Sequence, residues 1–460
     1  MSNARQIEDN EMALGLQLIT TLTCLKVKLQ RMRKVLFWTF FISTFFSCEY
    51  NDINKNAETN ELYTPYLTSI RNNGKVTLKW GKPMCEFCGG CVCPQLDPDH
   101  FEVLMSATDP SDLKFHTAVN DNIFEVAINN LTNGTPYYFA IKAIGPNKQV
   151  TISMTIMTIP DNPENTQTLF QTIDKNRELG TWSPDQSSVA YISDYIWNNG
   201  NNSAQSVFIS TLSNNAEWLV EKNSRSPEWS PNGNKIVYHT DNGEVNTSTG
   251  YRPTHIAVLN TQDSTIKRLT GGNSFNFLPA WSPNGNWVAF LSDRARSKEY
   301  NLWKIPSDSG TVIQITSDFN DLNDLGIIDD RSPKTLSWSK DGNSIAFARL
   351  TKSNQGYDSD IYSVPSTGGS KSRIVSSQWD DFCPAYSPDG TTIAFISNRS
   401  GTNEIWTMDL KTKKLRQITG STGKWIYENS GKIEWTASGD KILFTSNAAN
   451  FNTLYSVDIK

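Results

Sequence analysis

The sequence predicts an all-β chain: a β-sandwich followed by a ring of six four-stranded units, a six-bladed β-propeller. Three observations carry this. One phrase, an aromatic, Ser or Thr, a turn and a short alternating strand, recurs six times. It begins at Trp182 (TWSPDQSSVAYIS), Trp229 (EWSPNGNKIVYHT), Trp281 (AWSPNGNWVAFLS), Trp338 (SWSKDGNSIAFAR), Tyr386 (AYSPDGTTIAFIS) and Trp435 (EWTASGDKILFTS), at spacings of 47, 52, 57, 48 and 49 residues. Such a period marks repeated supersecondary units stacked into a propeller or solenoid. Long helical periods are missing while Asn, Ser and Thr abound, which suits strands joined by polar turns. Short alternating runs also fill residues 61–160, without the repeat.

Charged residues make up 19% of the 460 and the net charge is −5, so no basic footprint for nucleic acid is present. Residues 32–50 read MRKVLFWTFFISTFFSCEY: Arg33 and Lys34 precede a 12-residue apolar run, Val35–Phe46, closed by Ser47 and Cys48. The run is short for a membrane span, which needs about 20 residues, and suits a signal h-region. It resembles a bacterial lipoprotein signal, which implies lipidation of Cys48 and attachment to the outer membrane of the cell envelope. Phe45 and Phe46 depart from that pattern, and an uncleaved N-terminal anchor is the alternative. Residues 1–31 make no sense ahead of such a signal, so translation is expected to begin at Met32. Residues 49–60 are polar and Asn-rich and read as a flexible tether.

In residues 61–160, strands are expected at Lys75–Trp80, His100–Met105, Phe124–Ile128 and Tyr137–Ala143. Leu131-Thr-Asn-Gly134-Thr135-Pro-Tyr137, with Trp80 and Phe101-Glu-Val103, resembles the fibronectin type III family. The resemblance implies a tyrosine corner at Tyr137 and a module that spaces or presents its neighbour. The insert CEFCGGCVC places Cys85, Cys88, Cys91 and Cys93 within nine residues. Outside the cytoplasm these are read as two disulfides, with zinc as the alternative.

From residue 165 to 460 each unit continues past its opening turn. A second strand follows (Val288-Ala-Phe290, Ile345-Ala-Phe347, Ile393-Ala-Phe395), then a third (Leu302-Trp-Lys-Ile305, Ile405-Trp-Thr-Met408) and a shorter fourth (Ile266-Lys-Arg-Leu269, Leu415-Arg-Gln-Ile418). Four antiparallel strands make one blade, and six blades arranged radially leave only short edges. Pro presets φ at the turn and the following Asn/Asp-Gly supplies positive φ. The motif resembles TolB-like propellers, whose repeat runs close to Pro-x-Trp-Ser-Pro-Asp-Gly-x-x-Ile-Ala-Phe-x-Ser. The sixth unit ends after its third strand, while Thr166–Thr172 is a strand with no unit of its own. It is expected to pair beside Leu454–Asp458 and close the ring.

Function is sought on the face where second-to-third and fourth-to-first loops meet. The candidate binding face comprises Asp194, Trp197, Asp241, Asp293, Trp379, Asp381, Trp425 and Tyr427, because aromatic faces beside carboxylates bind peptides, sugars or cations. Tyr195, Phe275, Phe277 and Phe382 join them. Asp318, Asp321, Asp324, Asp329 and Asp330 make only a poor calcium loop, since such ligands come every second residue. No Gly-x-Ser-x-Gly or His-Glu-x-x-His occurs, and no cofactor is expected. The expected work is recognition of an envelope protein, peptide or glycan. The alternative is a carbohydrate-active or peptide-cleaving enzyme using acids at the channel mouth.

Overall fold

The computed structural model describes residues 62–459 apart from 82–95, 171–174, 198–201, 242–251, 296–299, 319–334, 354–355, 421–425, 427–431 and 449–450. For 195–197, 202–204, 351–353, 356–358 and 448 it describes the backbone alone. Cys48, the cluster Cys85, Cys88, Cys91 and Cys93, Trp425, Tyr427 and the side chain of Trp197 lie outside these descriptions.

Residues 62–158 form two sheets. One orders Tyr66–Asn72, Lys75–Gly81 and Glu125–Ile128; the other orders Lys114–Asn120, His100–Ser106, Tyr137–Ile144 and Val150–Ile152, with Ile156–Thr158 also paired to Tyr137–Ile144. Alternation decides the core: Val76, Leu78 and Trp80 turn inward from one strand, Phe101 and Val103 from another, Phe139, Ile141 and Ala143 from a third. Trp80 meets the edge of Phe101 at 5.6 Å between ring centroids. The Tyr137 hydroxyl accepts the Thr132 backbone N–H at 3.0 Å, so the chain is tied at the corner where the tyrosine was expected to act. Lys114–Asn120 escaped the sequence reading because, as an edge strand, it is mostly exposed and lacks clean alternation. Ile156–Thr158 escaped it because three buried residues carry no period.

Residues 166–458 form six four-stranded antiparallel sheets, numbered here in chain order. Their innermost strands are Glu178–Trp182, Ser224–Trp229, Asn276–Trp281, Ser337–Trp338, Asp381–Tyr386 and Glu434–Trp435. Each adjoins the next, and the sixth adjoins the first, so the strands line a closed cycle about a central channel. Second and third strands carry the apolar layers between sheets, such as Phe290, Ile305, Phe347, Phe395 and Ile405, each almost completely buried. Each side chain of this kind contributes roughly 1.5–3 kcal/mol relative to exposure.

The recurring turn is a hydrogen-bonded knot. In sheet 5 the Ser387 hydroxyl donates to Asp389 at 2.5 Å, Asp389 accepts the Thr391 N–H, and the Ser387 oxygen accepts the Thr392 N–H. These bonds hold the Asp389 carboxyl down at about 2. The next residue takes positive φ: Gly233, Gly285, Gly342, Gly390 and Gly439 in five sheets, and Gln186 in the first. Three of the motif's five tryptophans staple sheets together. Indole N–H groups of Trp281, Trp338 and Trp435 donate to the carbonyls of Glu228, Ala280 and Ala385 in the preceding sheet, at 3.0, 3.1 and 3.0 Å.

Thr166–Thr168 pairs antiparallel with Phe451–Asp458, Gln167 opposite Ser456, and becomes the outer strand of sheet 6. Leu169 N–H donates to the Leu454 carbonyl at 3.0 Å, and Asp458 N–H to the Asn165 carbonyl at 3.2 Å. Leu169→Pro deletes the first of these bonds and should destabilise the ring by about 2 kcal/mol. Chemical denaturation should show that loss, with Gln167→Ala nearly silent as the control.

Candidate functional site

The loop face of the ring is not bare. The hydrogen bonds described between sandwich and ring land on sheet 5 and the connections flanking it. Ser69 N–H and its hydroxyl both donate to the Ser400 carbonyl, at 3.1 and 3.0 Å. Arg71 N–H donates to Gly420 O at 3.0 Å and Met157 N–H to Arg399 O at 2.5 Å. Met157 and Ile159 enter a core cluster with Val375, Trp379, Phe395 and Trp406. A Cβ at Gly401, whose φ is +88°, would overlap the Leu67 carbonyl and Thr68 Cα.

Arg71 is the centre of this junction and is 2% exposed. Its Nε donates to Thr419 O at 3.2 Å, Nη2 to Ile418 O at 2.5 Å, and Nη1 to Asn162 O at 3.3 Å. Glu164 is its carboxylate partner at 3.3 Å and also accepts the Gly420 N–H. A planar fork reaching three carbonyls and one carboxylate suits arginine and not lysine. Close by, Glu404 accepts hydrogen bonds from Thr419 and Thr402 at 2.5 and 3.0 Å. Burial outweighs those bonds and pushes its carboxyl up to about 7.

Two candidates for the binding face are therefore occupied within the chain. Trp379 donates its indole N–H to Thr155 O of the sandwich at 2.9 Å. Asp381 is fully buried, accepts the Ser377 hydroxyl at 2.7 Å, and pairs with Arg399, whose guanidinium lies among the Trp379, Phe395 and Trp406 rings.

Elsewhere Asp194 is exposed, opposite Gln205 in sheet 1. Asp241 is half-buried with Arg252 at 3.8 Å. Asp293 accepts the Phe275 N–H at 2.8 Å, shaping the entry to sheet 3. There Phe275, Phe277 and Tyr300 stack edge to face, with centroids at 6.5 Å (Phe275–Tyr300) and 5.4 Å (Phe277–Tyr300). Phe277 is core; Phe275 and Tyr300 are half-buried. His239, edge-on to Phe277, is pushed down to about 3 by burial and then by Arg225, so it is a neutral core residue. Among the described residues no group of three His, Cys, Asp or Glu is arranged to hold a metal. Asp318 pairs with Lys371.

On the channel axis lies a cluster the sequence reading missed. Lys432 of sheet 6 donates to Pro227 O of sheet 2 at 2.8 Å, with Glu228 at 3.9 Å and Glu434 at 3.6 Å. Glu228 accepts the Trp281 N–H at 3.0 Å; Glu434 accepts the Thr181 hydroxyl at 3.1 Å. Burial, only partly offset by Lys432, pushes Glu228 up to about 7 and raises Glu434 as well. The available signal was Glu directly before Trp in two copies, where the others carry Thr, Ala or Ser.

The TolB beta propeller domain model matches residues 163–352 and 327–460. The chain belongs to this family. An uncharacterized protein of Agrobacterium fabrum is 26% identical over 51% of this chain and 69% of its own length. A protein TolB homolog of Chlorobium luteolum is 27% identical over 40% of this chain, which spans 37% of that relative. The crystal structure of TolB from Acinetobacter baumannii aligns with a TM-score of 0.45 at 14% identity, over 70% of this chain and 77% of that one.

Two measurements test the junction and the channel cluster. Arg71→Ala takes the guanidinium away from the buried Glu164 carboxylate, which costs about 3–5 kcal/mol; small-angle scattering should show the sandwich released, and proteolysis should cut near 160–165. Glu228 and Glu404 hold protons more tightly folded than unfolded. The stability this lends is complete below the ordinary value of 4.5 and is lost as pH rises through about 7. Urea midpoints should therefore fall between pH 4.5 and 7, and Glu404→Gln should flatten that slope.

Proposed function

We propose that this TolB-family chain is a binding or scaffold protein of the cell envelope, whose loop face recognises a protein or peptide. The six sheets are read as the blades of a six-bladed propeller, and residues 62–158 as a fibronectin type III module. The sheet order and the tie at Tyr137 support both readings. The observation that carries the binding reading is that this face already holds a β-domain at sheet 5. It does so with main-chain hydrogen bonds and the Trp379 indole, the means by which one protein surface reads another. Outside that footprint, the half-buried Phe275 and Tyr300 at the entry to sheet 3 and the carboxylates of Asp241 and Asp194 on sheets 2 and 1 are the remaining aromatic and acidic groups of this face. Aromatic anchors of this kind dominate interface energetics.

An envelope location is supported by residues 32–48 as a lipoprotein-type signal, with Cys48 as the lipidated residue. Mass spectrometry of the mature N-terminus tests it; an unmodified Cys48 inside a longer peptide overturns it. For the face itself, a photo-crosslinking residue replaces Phe275 in the full chain, with Trp218, exposed on an outer strand, as control. Adducts in envelope extract should form from position 275 and not from 218. Equal labelling at both positions, or no adducts beside a positive glycan array, refutes a protein partner.

A further inference from the structure

Three residues before the aromatic of the repeat, five of the six units place a side chain against a cavity on the channel axis, while Cys383 in sheet 5 packs in the core. The backbone is kinked there in at least four sheets: Leu179, Ser226, Leu278 and Cys383 have φ of 53, 52, 51 and 53°. The strand register slips around each of the four. Such bulges re-aim a side chain. The six residues at this position are Leu179, Ser226, Leu278, Thr335, Cys383 and Lys432. They are apolar in sheets 1, 3 and 5 and polar in sheets 2, 4 and 6.

Five of them, all but Cys383, line one cavity of about 10 Å³ together with Glu228. Its polar wall is incomplete. The Ser226 and Thr335 hydroxyl oxygens are buried with no hydrogen-bond partner, and Ser226 is 8% exposed. Glu434 Oε2 is likewise buried with no hydrogen bond, its ion-pair partner Lys432 Nζ standing at 3.6 Å. Lys432 has three N–H donors, and its one described hydrogen bond goes to Pro227; both glutamates stand beyond hydrogen-bond distance. A buried hydroxyl left unpaired is costly, and buried polar groups are generally satisfied.

We propose that the waist of the channel is a built site for one water molecule, held by Lys432, Ser226 and Thr335. The volume is that of a single water, and a site with two to four polar partners is what such a water needs. The chemistry selects water over an ion. A cation would sit against the Lys432 ammonium, and an anion against Glu228. Water alone accepts from the ammonium while donating to a hydroxyl or carboxylate. With the water in place, Lys432 and its partners close the channel at this level. The assignment stands apart from the partner-binding reading and holds or fails without it.

A high-resolution crystal structure of the full chain should show one density peak within about 3.2 Å of Ser226 Oγ, Thr335 Oγ1 and Lys432 Nζ. Melting of Ser226→Ala, Thr335→Val and the double variant supplies the second readout, since none removes a charge. If a water bridges the hydroxyls, each single change lowers the midpoint by roughly 2 °C and the double change by little more than one. If the hydroxyls are unpaired, removing either raises the midpoint, which overturns the site, as would additive losses or an empty waist in the density. A rubidium soak giving an anomalous peak at the waist would replace water by a cation and refute the assignment as stated.

Discussion

Ring closure is the constraint on which the other features depend. A cycle of sheets has one seam, and here the seam is sealed by three residues, Thr166–Thr168, laid along Phe451–Asp458. Those residues follow the last sandwich strand, Ile156–Thr158, by eight positions. Within that short reach the chain passes Ile159, which packs in the sheet 5 cluster, and Glu164, which pairs with Arg71. Closure strand and sandwich junction are thus built from one continuous segment, and the seam between sheets cannot be separated from the seating of the domain above it.

The six copies divide their labour cleanly. Where most of them agree, at the Ser-Pro-Asp/Asn-Gly turn, the side chains satisfy their own turn, and three of the tryptophans reach into the preceding sheet. Where they differ, the ring acquires properties that no single copy has. One position three residues before the aromatic carries a leucine in sheet 1 and a lysine in sheet 6. The end of the second strand carries Asp293 in sheet 3, which shapes an aromatic entry, and Asn398 in sheet 5, next to the arginine that pairs with Asp381.

The ring was legible from the sequence because its determinants are local and repeated. The turn chemistry, the two-residue alternation and even the orphan strand at Thr166 could be read by counting. In the sandwich, Tyr137 and Trp80 were readable for the same reason. The junction was not. Arg71, Glu164 and Glu404 lie in unrelated stretches, and nothing near Arg71 announces that Ile418, Thr419 and Gly420 will supply its carbonyls. The same distance effect explains Trp379 and Asp381. Their residue types suited a binding face, but only the fold shows Trp379 engaged by the sandwich and Asp381 by Arg399 within the ring. Lys432 and Glu228, some two hundred positions apart in sequence, met for a reason visible only once the cycle is closed.

The positive-φ turn residue offers a last consequence. Five sheets fill it with glycine, and the first fills it with Gln186, which adopts φ 59°. An L-residue there carries a standing conformational penalty that glycine avoids. The first sheet is also the one that meets sheet 6 across the seam, through Arg177 and Glu178 beside Asn452. The one turn of the six without glycine at this position and the junction made late in the chain therefore sit side by side. The indole bonds described tie sheet 3 to 2, sheet 4 to 3 and sheet 6 to 5, so the boundary between sheets 6 and 1 is held by other means, the closure strand and the contacts around Asn452.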